Sequence, residues 1–261
     1  MYGYAWRHSA PEATLVLVHG LQSHAQWFAE AADLLVERGL AVWAVDRRGS
    51  GSSSGGRGDI VRYDEWFEEV GEVVRAARAE HPDTPVHLVG HCFGANIALG
   101  YALAHDDVRS VVMLTPGLFI RPDYSVGEKL RIATTGVLRP ETLFRVPQDD
   151  ELFSRSEDVV GWIAADSLGS KRLTARCLLQ INRMVRRLRR HAHELEPPLL
   201  VFEAQRDRIS DNERNRAFLE RALPNRVRWR SYDAEHFLLA EPCRDALLDE
   251  LVHWVTEDEA A

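Results

Sequence analysis

Val86-His87-Leu88-Val89-Gly90-His91-Cys92-Phe93-Gly94-Ala95-Asn96-Ile97-Ala98-Leu99-Gly100-Tyr101-Ala102 is the stretch that decides the fold. Its first four residues are a strand-like apolar run, and Ala95 to Ala102 are a helix-like one. Between them stands Gly90-His91-Cys92-Phe93-Gly94, which has the spacing of G-x-S-x-G. In that motif a sharp strand-to-helix turn lifts one side chain above a sheet, where it acts as a nucleophile. The flanking glycines permit the tight turn and the close packing of helix on strand. A cysteine holds the position usually given to serine, so Cys92 is the candidate nucleophile and its chemistry is that of sulfur.

Working outward, strand-like runs alternate with helix-like ones. Thr14 to Val18 reads as a strand ending at His19-Gly20. A helix with apolar Trp27, Phe28, Ala31, Leu34 and Leu35 follows, and Gly39 is placed to end it. A strand over Ala41 to Val45 runs into Asp46-Arg47-Arg48-Gly49-Ser50-Gly51-Ser52. A helix from about Tyr63 to Glu80 precedes the Cys92 strand, and the strand Ser110 to Leu114 comes after it. Later signals are a strand at Leu199 to Phe202, a helix from about Asn212 to Ala222, a strand at Val227 to Tyr232 and a helix from about Arg244 to Thr256. Such alternation predicts an α/β fold, a mostly parallel sheet covered on both faces. From Gly117 to Glu196 no convincing sheet strand is found, and the stretch is too long for a bare loop. It is expected to be a helical cap inserted in a core made of residues 1–116 and 197–261.

The composition sets bounds. The chain has 261 residues, 45% hydrophobic and 28% charged, which suits one large domain with a substantial core. A formal charge of −8 argues against a general nucleic-acid binder. No apolar run is long enough to span a membrane, and Met1 to His8 lacks the pattern of a signal peptide. Three cysteines, Cys92, Cys177 and Cys243, give an odd count with no metal-type spacing. A cytoplasmic location is therefore expected, where Cys92 stays a thiol.

A thiol nucleophile needs a base, and the base needs an acceptor to hold its ring. In sheets that carry this turn, the acid and then the histidine follow the nucleophile along the chain. Asp207 lies just past the strand ending at Phe202, and His236 just past the strand ending at Tyr232. Both fall at strand carboxyl ends, the edge where parallel sheets collect ligands. The expected triad is Cys92, His236 and Asp207, with Asp211 the nearest rival acid. The oxyanion donors are expected to be the backbone N–H groups of Phe93, at the start of a helix, and of Leu21, after the His19-Gly20 turn.

On these residues the chain resembles the α/β-hydrolase superfamily, most closely its monoacylglycerol lipase and lysophospholipase branch. That branch carries Asp-x-x-Gly-x-Gly-x-Ser after a strand ending in His-Gly, matched by Asp46, Gly49, Gly51 and Ser53 with one residue of slack. Its Gly-His-Ser-Met-Gly-Gly turn is similar to Gly90-His91-Cys92-Phe93-Gly94-Ala95, and its Gly-x-x-Asp segment to Ala204-Gln205-Arg206-Asp207. The resemblance runs from about Leu15 to Trp254 and is weakest in the expected cap. Three departures stand out: Cys92 for serine, and Ala95 and Ala204 for glycine. Cysteine at this position also occurs in dienelactone hydrolases and polyhydroxyalkanoate synthases, which share the fold.

The resemblance implies an acyl-enzyme, and sulfur makes it a thioester. That chemistry fits hydrolysis of an ester or thioester, or acyl transfer and cyclisation with an acceptor other than water. A non-catalytic binding protein on the same scaffold is the reading from another class, and replacement of a native serine is a further one. No metal or organic cofactor is implied. The arginines at 176, 183, 186, 187, 189 and 190 are a solvated face or a receptor for coenzyme A phosphates or an acyl carrier protein. His19 and His91 read as structural hydrogen-bonding residues, and His191 and His193 as a solvated helix end.

Overall fold

The structure is a computed structural model that describes residues 2–257. Its elements in chain order are β1 (Tyr2–Trp6), β2 (Thr14–Val18), α1 (Ala29–Glu37), β3 (Ala41–Asp46), α2 (Asp64–Glu80), β4 (Val86–His91), α3 (Phe93–Ala102) and β5 (Ser110–Leu114). Then come α4 (Val126–Leu138), β6 (Leu143–Arg145), α5 (Glu157–Ala165), β7 (Arg172–Thr174) and α6 (Ala175–His191). The chain closes with β8 (Leu199–Ala204), α7 (Asn212–Ala222), β9 (Val227–Tyr232) and α8 (Arg244–Thr256).

Seven strands form one sheet in the order β1-β3-β2-β4-β5-β8-β9, parallel except for β1. The inner strands are apolar almost throughout because successive residues serve two cores. Val16 and Val18 of β2 join Val111 and Met113 of β5 on one face, where Trp66 of α2, Ile97 of α3 and Leu188 of α6 pack. Leu15, Leu17, Val112 and Leu114 face the other way, onto Phe28, Leu35 of α1 and Leu251 and Trp254 of α8. A strand buried on both faces cannot alternate apolar with polar, which is why these runs read as continuous. The edge strand β9 does alternate, with Arg228, Arg230 and Ser231 exposed.

Two features have no clear sequence signal. β1 is a half-exposed edge strand paired antiparallel with β3, and its Tyr2, Tyr4 and Trp6 rings contact one another in turn. Residues 117–196 add no strand to the main sheet, but β6 and β7 pair as a separate antiparallel ribbon. Strands of three residues are too short to show a period.

The sheet order also locates the site. From β3 the chain crosses back over β2 to β4 and then moves outward to β5, so the winding reverses between β2 and β4. Crevices at such a switch point open at the carboxyl ends of the strands. Val18 stands in register with Gly90, so the His19-Gly20-Leu21 turn and Cys92 emerge side by side. No helix among the described residues is long and apolar enough to cross a membrane.

Candidate active site

Cys92 joins β4 to α3 with φ +53° and ψ −111°, a backbone state that side-chain-bearing residues rarely adopt. Holding it costs on the order of 1–3 kcal/mol, which the surrounding contacts must offset. Its N–H donates to the Leu114 carbonyl at 2.9 Å, and its own carbonyl accepts from Gly117 N–H at 3.0 Å. Gly94 lets the turn close, since a Cβ there would collide with the Val18 carbonyl. The result is a cysteine fixed at the head of a helix, only 4% exposed.

Asp207 and His236 meet at the ends of β8 and β9. His236 Nδ1 lies 2.8 Å and 3.0 Å from the two Asp207 carboxylate oxygens, and both side chains are buried. Asp207 Oδ1 also accepts the N–H groups of Ile209 at 2.7 Å and Ser210 at 2.8 Å, so its orientation is set by backbone. The rival Asp211 is occupied as the N-cap of α7, accepting from Arg214 N–H. Burial disfavours charge on His236, yet the adjacent Asp207 carboxylate and the Cys92 sulfur overcome this and raise it to about 10. Its Nε2 has no hydrogen-bond partner at ordinary length. Cys92 is the group that adds to Asp207 in raising this imidazole, and such contacts are often loose before substrate binds.

The Phe93 N–H belongs to the first residue of α3, where a helix amide has no intrahelical acceptor. Leu21 follows Gly20, whose α-carbon stands against the site: a Cβ there would lie 3.5 Å from Cys92 Cβ and 3.1 Å from His91 Nδ1. All five expected site residues therefore gather at the β2/β4 switch point and the neighbouring strand ends.

Other residues that matter here carry no motif. Thr115 adopts φ +45°, unfavourable for a β-branched residue, and its hydroxyl donates to the His236 carbonyl at 3.1 Å. Phe153 covers the catalytic histidine candidate, with its ring centroid 5.5 Å from that of His236. Asp166, just past α5, accepts from Trp27 Nε1 at 2.8 Å and pairs with His24 at 3.1 Å. Gln22 donates to the Gln148 carbonyl at 2.9 Å, and its own carbonyl accepts from Ser170. The stretch after β2 is thus tied to the covering segment through the side chains of Gln22, His24 and Trp27. None of these pairs is visible locally, because the partners lie far apart in sequence.

The remaining candidates resolve into structural contacts. His19 bonds the Gly20 carbonyl, and buried His91 is depressed to about 3 by desolvation and the nearby His236. His191 pairs with Glu194 at 2.9 Å, and His193 is exposed at the same helix end. Cys177 is buried in α6 and pushed up to about 12 by desolvation. Arg176 pairs with Asp59, and Arg189 caps the Leu118 carbonyl while stacking on Phe119. Arg183, Arg186, Arg187 and Arg190 are exposed.

Known proteins share the fold that carries this site. The monoacylglycerol lipase of Mycolicibacterium smegmatis is 27% identical over 252 residues, covering 94% of this chain and 88% of that protein. The monoglyceride lipase of Mus musculus is 25% identical, covering 98% and 86%. Among solved structures, the monoacylglycerol lipase of Paleococcus ferrophilus superposes with a TM-score of 0.86 at 24% identity, covering 98% and 99%. These relatives are carboxylic ester hydrolases by name, and the shared architecture is a seven-stranded, mostly parallel sheet wrapped by helices. The family model described as serine aminopeptidase, S33 (Hydrolase_4) matches residues 9–243, and the chain belongs to that family of α/β-hydrolases.

Proposed function

We propose that this protein is an acyl hydrolase acting on a small-molecule carboxylic ester or thioester, with Cys92 as nucleophile, His236 as acid–base and Asp207 as the group that orients it. The observation that carries the reading is the strained Cys92 backbone at the head of α3, opposite a buried His236–Asp207 pair. The lipase names of its relatives support an ester as the bond attacked.

In this mechanism the sulfur of Cys92 adds to the substrate carbonyl as a thiolate, its proton held by His236. A raised imidazole suits that role, because the cation persists at neutral pH beside the thiolate and the Asp207 carboxylate. The carbonyl oxygen takes negative charge and is met by the N–H groups of Leu21 and Phe93. Collapse breaks the bond to the leaving group, which receives the His236 proton, and leaves a thioester on Cys92. Water, deprotonated by His236, then attacks that thioester, and the thiolate departs to complete the cycle.

Residues 117–196 act as the cap of this site, with Phe153 above His236. One observation favours transfer to a non-water acceptor as the second reading. His236 is fully buried and Cys92 nearly so, so a bound acceptor that fills the space over Cys92 would displace the water that hydrolysis needs. The exposed arginines of α6 would then receive the phosphates of a coenzyme A thioester or an acyl carrier protein. A reducing, cytoplasmic setting suits three free cysteines.

The test is intact-mass measurement after incubation with p-nitrophenyl butyrate and with butyryl-coenzyme A. A single butyryl adduct is expected on the parent, and none on Cys92→Ala, together with loss of turnover by at least ~10³-fold. An adduct that survives Cys92→Ala would remove this reading. No adduct on either protein, with Cys92 also inert to iodoacetamide, favours a binding protein. Loss of the adduct only when an alcohol or thiol is added, with the butyryl ester or thioester of that acceptor as product, favours transfer.

A further inference from the structure

Arg47 is a buried cation that, among the described residues, has no carboxylate in direct contact. It is 2% exposed, and among the described residues it forms no ion pair with an acid. The sulfurs of Cys177 and Cys92 lie within reach of its charge, and the carboxylates that reach it are engaged elsewhere: Glu69 with Arg48, and Asp46 with the N–H groups of Ala25 and Ser52. Its guanidinium instead sits over the rings of Phe93, at 5.1 Å, and Trp66, at 5.9 Å, and its Nε has no partner. Burying a charge on such terms is expensive, and an apolar side chain of similar volume would pack there at lower cost.

The hydrogen bonds show what the cation holds. The Arg47 N–H donates to His19 Nε2 at 3.1 Å, so that ring nitrogen is an acceptor. Desolvation keeps buried His19 neutral, so its single proton resides on Nδ1. Nδ1 donates to the Gly20 carbonyl at 2.9 Å, and Arg47 Nη2 donates to the same oxygen. Two donors, one of them charged, thus converge on one carbonyl at the turn beside Cys92. In a trans peptide the C=O and the following N–H point in opposite directions. Fixing the Gly20 oxygen toward Arg47 therefore turns the Leu21 N–H away from it, and donors on a carbonyl strengthen the N–H of the same peptide. The guanidinium also stacks on Phe93, the residue that supplies the second amide.

We infer that Arg47 is a positioning residue for acylation at Cys92: with His19 it clamps and polarises the Gly20–Leu21 peptide, so that the Leu21 N–H receives the substrate oxyanion. The inference rests on the reading of Cys92 as the acylated residue. It makes a distinction that packing alone would not. Acylation by an ester passes through an oxyanion, whereas alkylation of the same sulfur by iodoacetamide does not.

The experiment measures both rates on the parent and on Arg47→Met, Arg47→Gln and Arg47→Lys, using p-nitrophenyl butyrate and iodoacetamide. Thermal melting confirms folding. In Arg47→Met the acylation rate constant should fall on the order of 10–100-fold, below the 10²–10³ lost when an oxyanion donor is removed outright. The alkylation rate should stay within about threefold, since alkylation does not pass through the oxyanion. Arg47→Lys and Arg47→Gln, which keep a donor, should recover part of the loss, and they supply the same ratio if Arg47→Met does not fold. Unchanged acylation, or acylation and alkylation falling together, overturns the inference. A parent that forms no adduct at Cys92 overturns the enzymatic reading itself. A parent that acylates beside variants that acylate equally overturns only the role of Arg47.

Discussion

The carboxyl edge of the sheet and the segment that covers it are held by contacts that are distributed differently. At the edge the site is fixed by nearby backbone: Cys92 by Leu114 and Gly117, and Asp207 by Ile209 and Ser210. The covering segment joins the core through backbone bonds such as Ser170 N–H to Gln22 and Thr174 N–H to Gly58, and through side chains such as Asp166 to Trp27 and His24, Gln22 to Gln148, and Arg176 and Thr174 to Asp59. Its outer helix α4 leaves Val126, Leu130, Val137 and Leu138 exposed. The edge is fixed by contacts close to the site, and the cover by contacts spread along residues 117–196.

The largest effect should come from the edge. Asp207→Asn keeps acceptors for the Ile209 and Ser210 amides but loses the charge that holds His236 as a cation. Turnover should fall by about 10³–10⁴-fold with little change in melting temperature. Steady-state kinetics beside a thermal melt checks this, and a loss of less than tenfold would mean that the edge does not depend on this carboxylate.

An intermediate effect should come from the joint between the regions. Asp166→Ala leaves two buried donors, Trp27 Nε1 and His24, without an acceptor, at a cost of about 1–3 kcal/mol. Because the same contact ties the cover down, alkylation of Cys92 by iodoacetamide should accelerate several-fold while the acyl adduct still forms. An unchanged alkylation rate would show that the cover is held by something else.

The smallest effect is a pH dependence, and it distinguishes the regions by their histidines. Burial depresses His87, in β4, to about 4, with Arg109 adding to the shift, and it depresses His91 to about 3. Their folded values lie below the unfolded value near 6.5, so the unfolded chain takes up more protons as pH falls. Stability should be intact above pH ~6.5 and decline as pH drops toward 4 and then 3. His236 acts oppositely, since its raised value of about 10 stabilises the fold most below pH ~6.5 and ceases to do so as pH climbs through 10. Denaturant midpoints at several pH values read both limbs. His87→Gln should flatten part of the acid limb, and an acid limb unaltered by it would assign the loss to other groups.

These contrasts track what could be read from residues alone. The inner strands were legible because a strand buried on both faces needs a continuous apolar run, as in Ser110–Leu114, predicted with the bounds observed. The edge strand β1 escaped notice because only three aromatics in Tyr2–Trp6 mark it, and the ribbon of β6 and β7 because three residues show no period. Asp207 and His236 stand out as candidates from chain order, since each follows a strand. Arg47 sat in plain view inside a glycine-rich motif, yet its burial, its lack of a carboxylate in direct contact among the described residues and its grip on Gly20 had no local signature.

The amino-acid sequence by itself determined the alternation of strand and helix, the sharp turn at Cys92 and the order in which acid and imidazole follow it. Those features depend on periodicity and on steric limits within a few residues. Only the tertiary structure decided which side chains share the site, which proton His19 carries and what lies over His236. Such relations join residues as distant as Trp27 and Asp166, 139 positions apart, and no local rule of backbone or hydropathy specifies a meeting across that span.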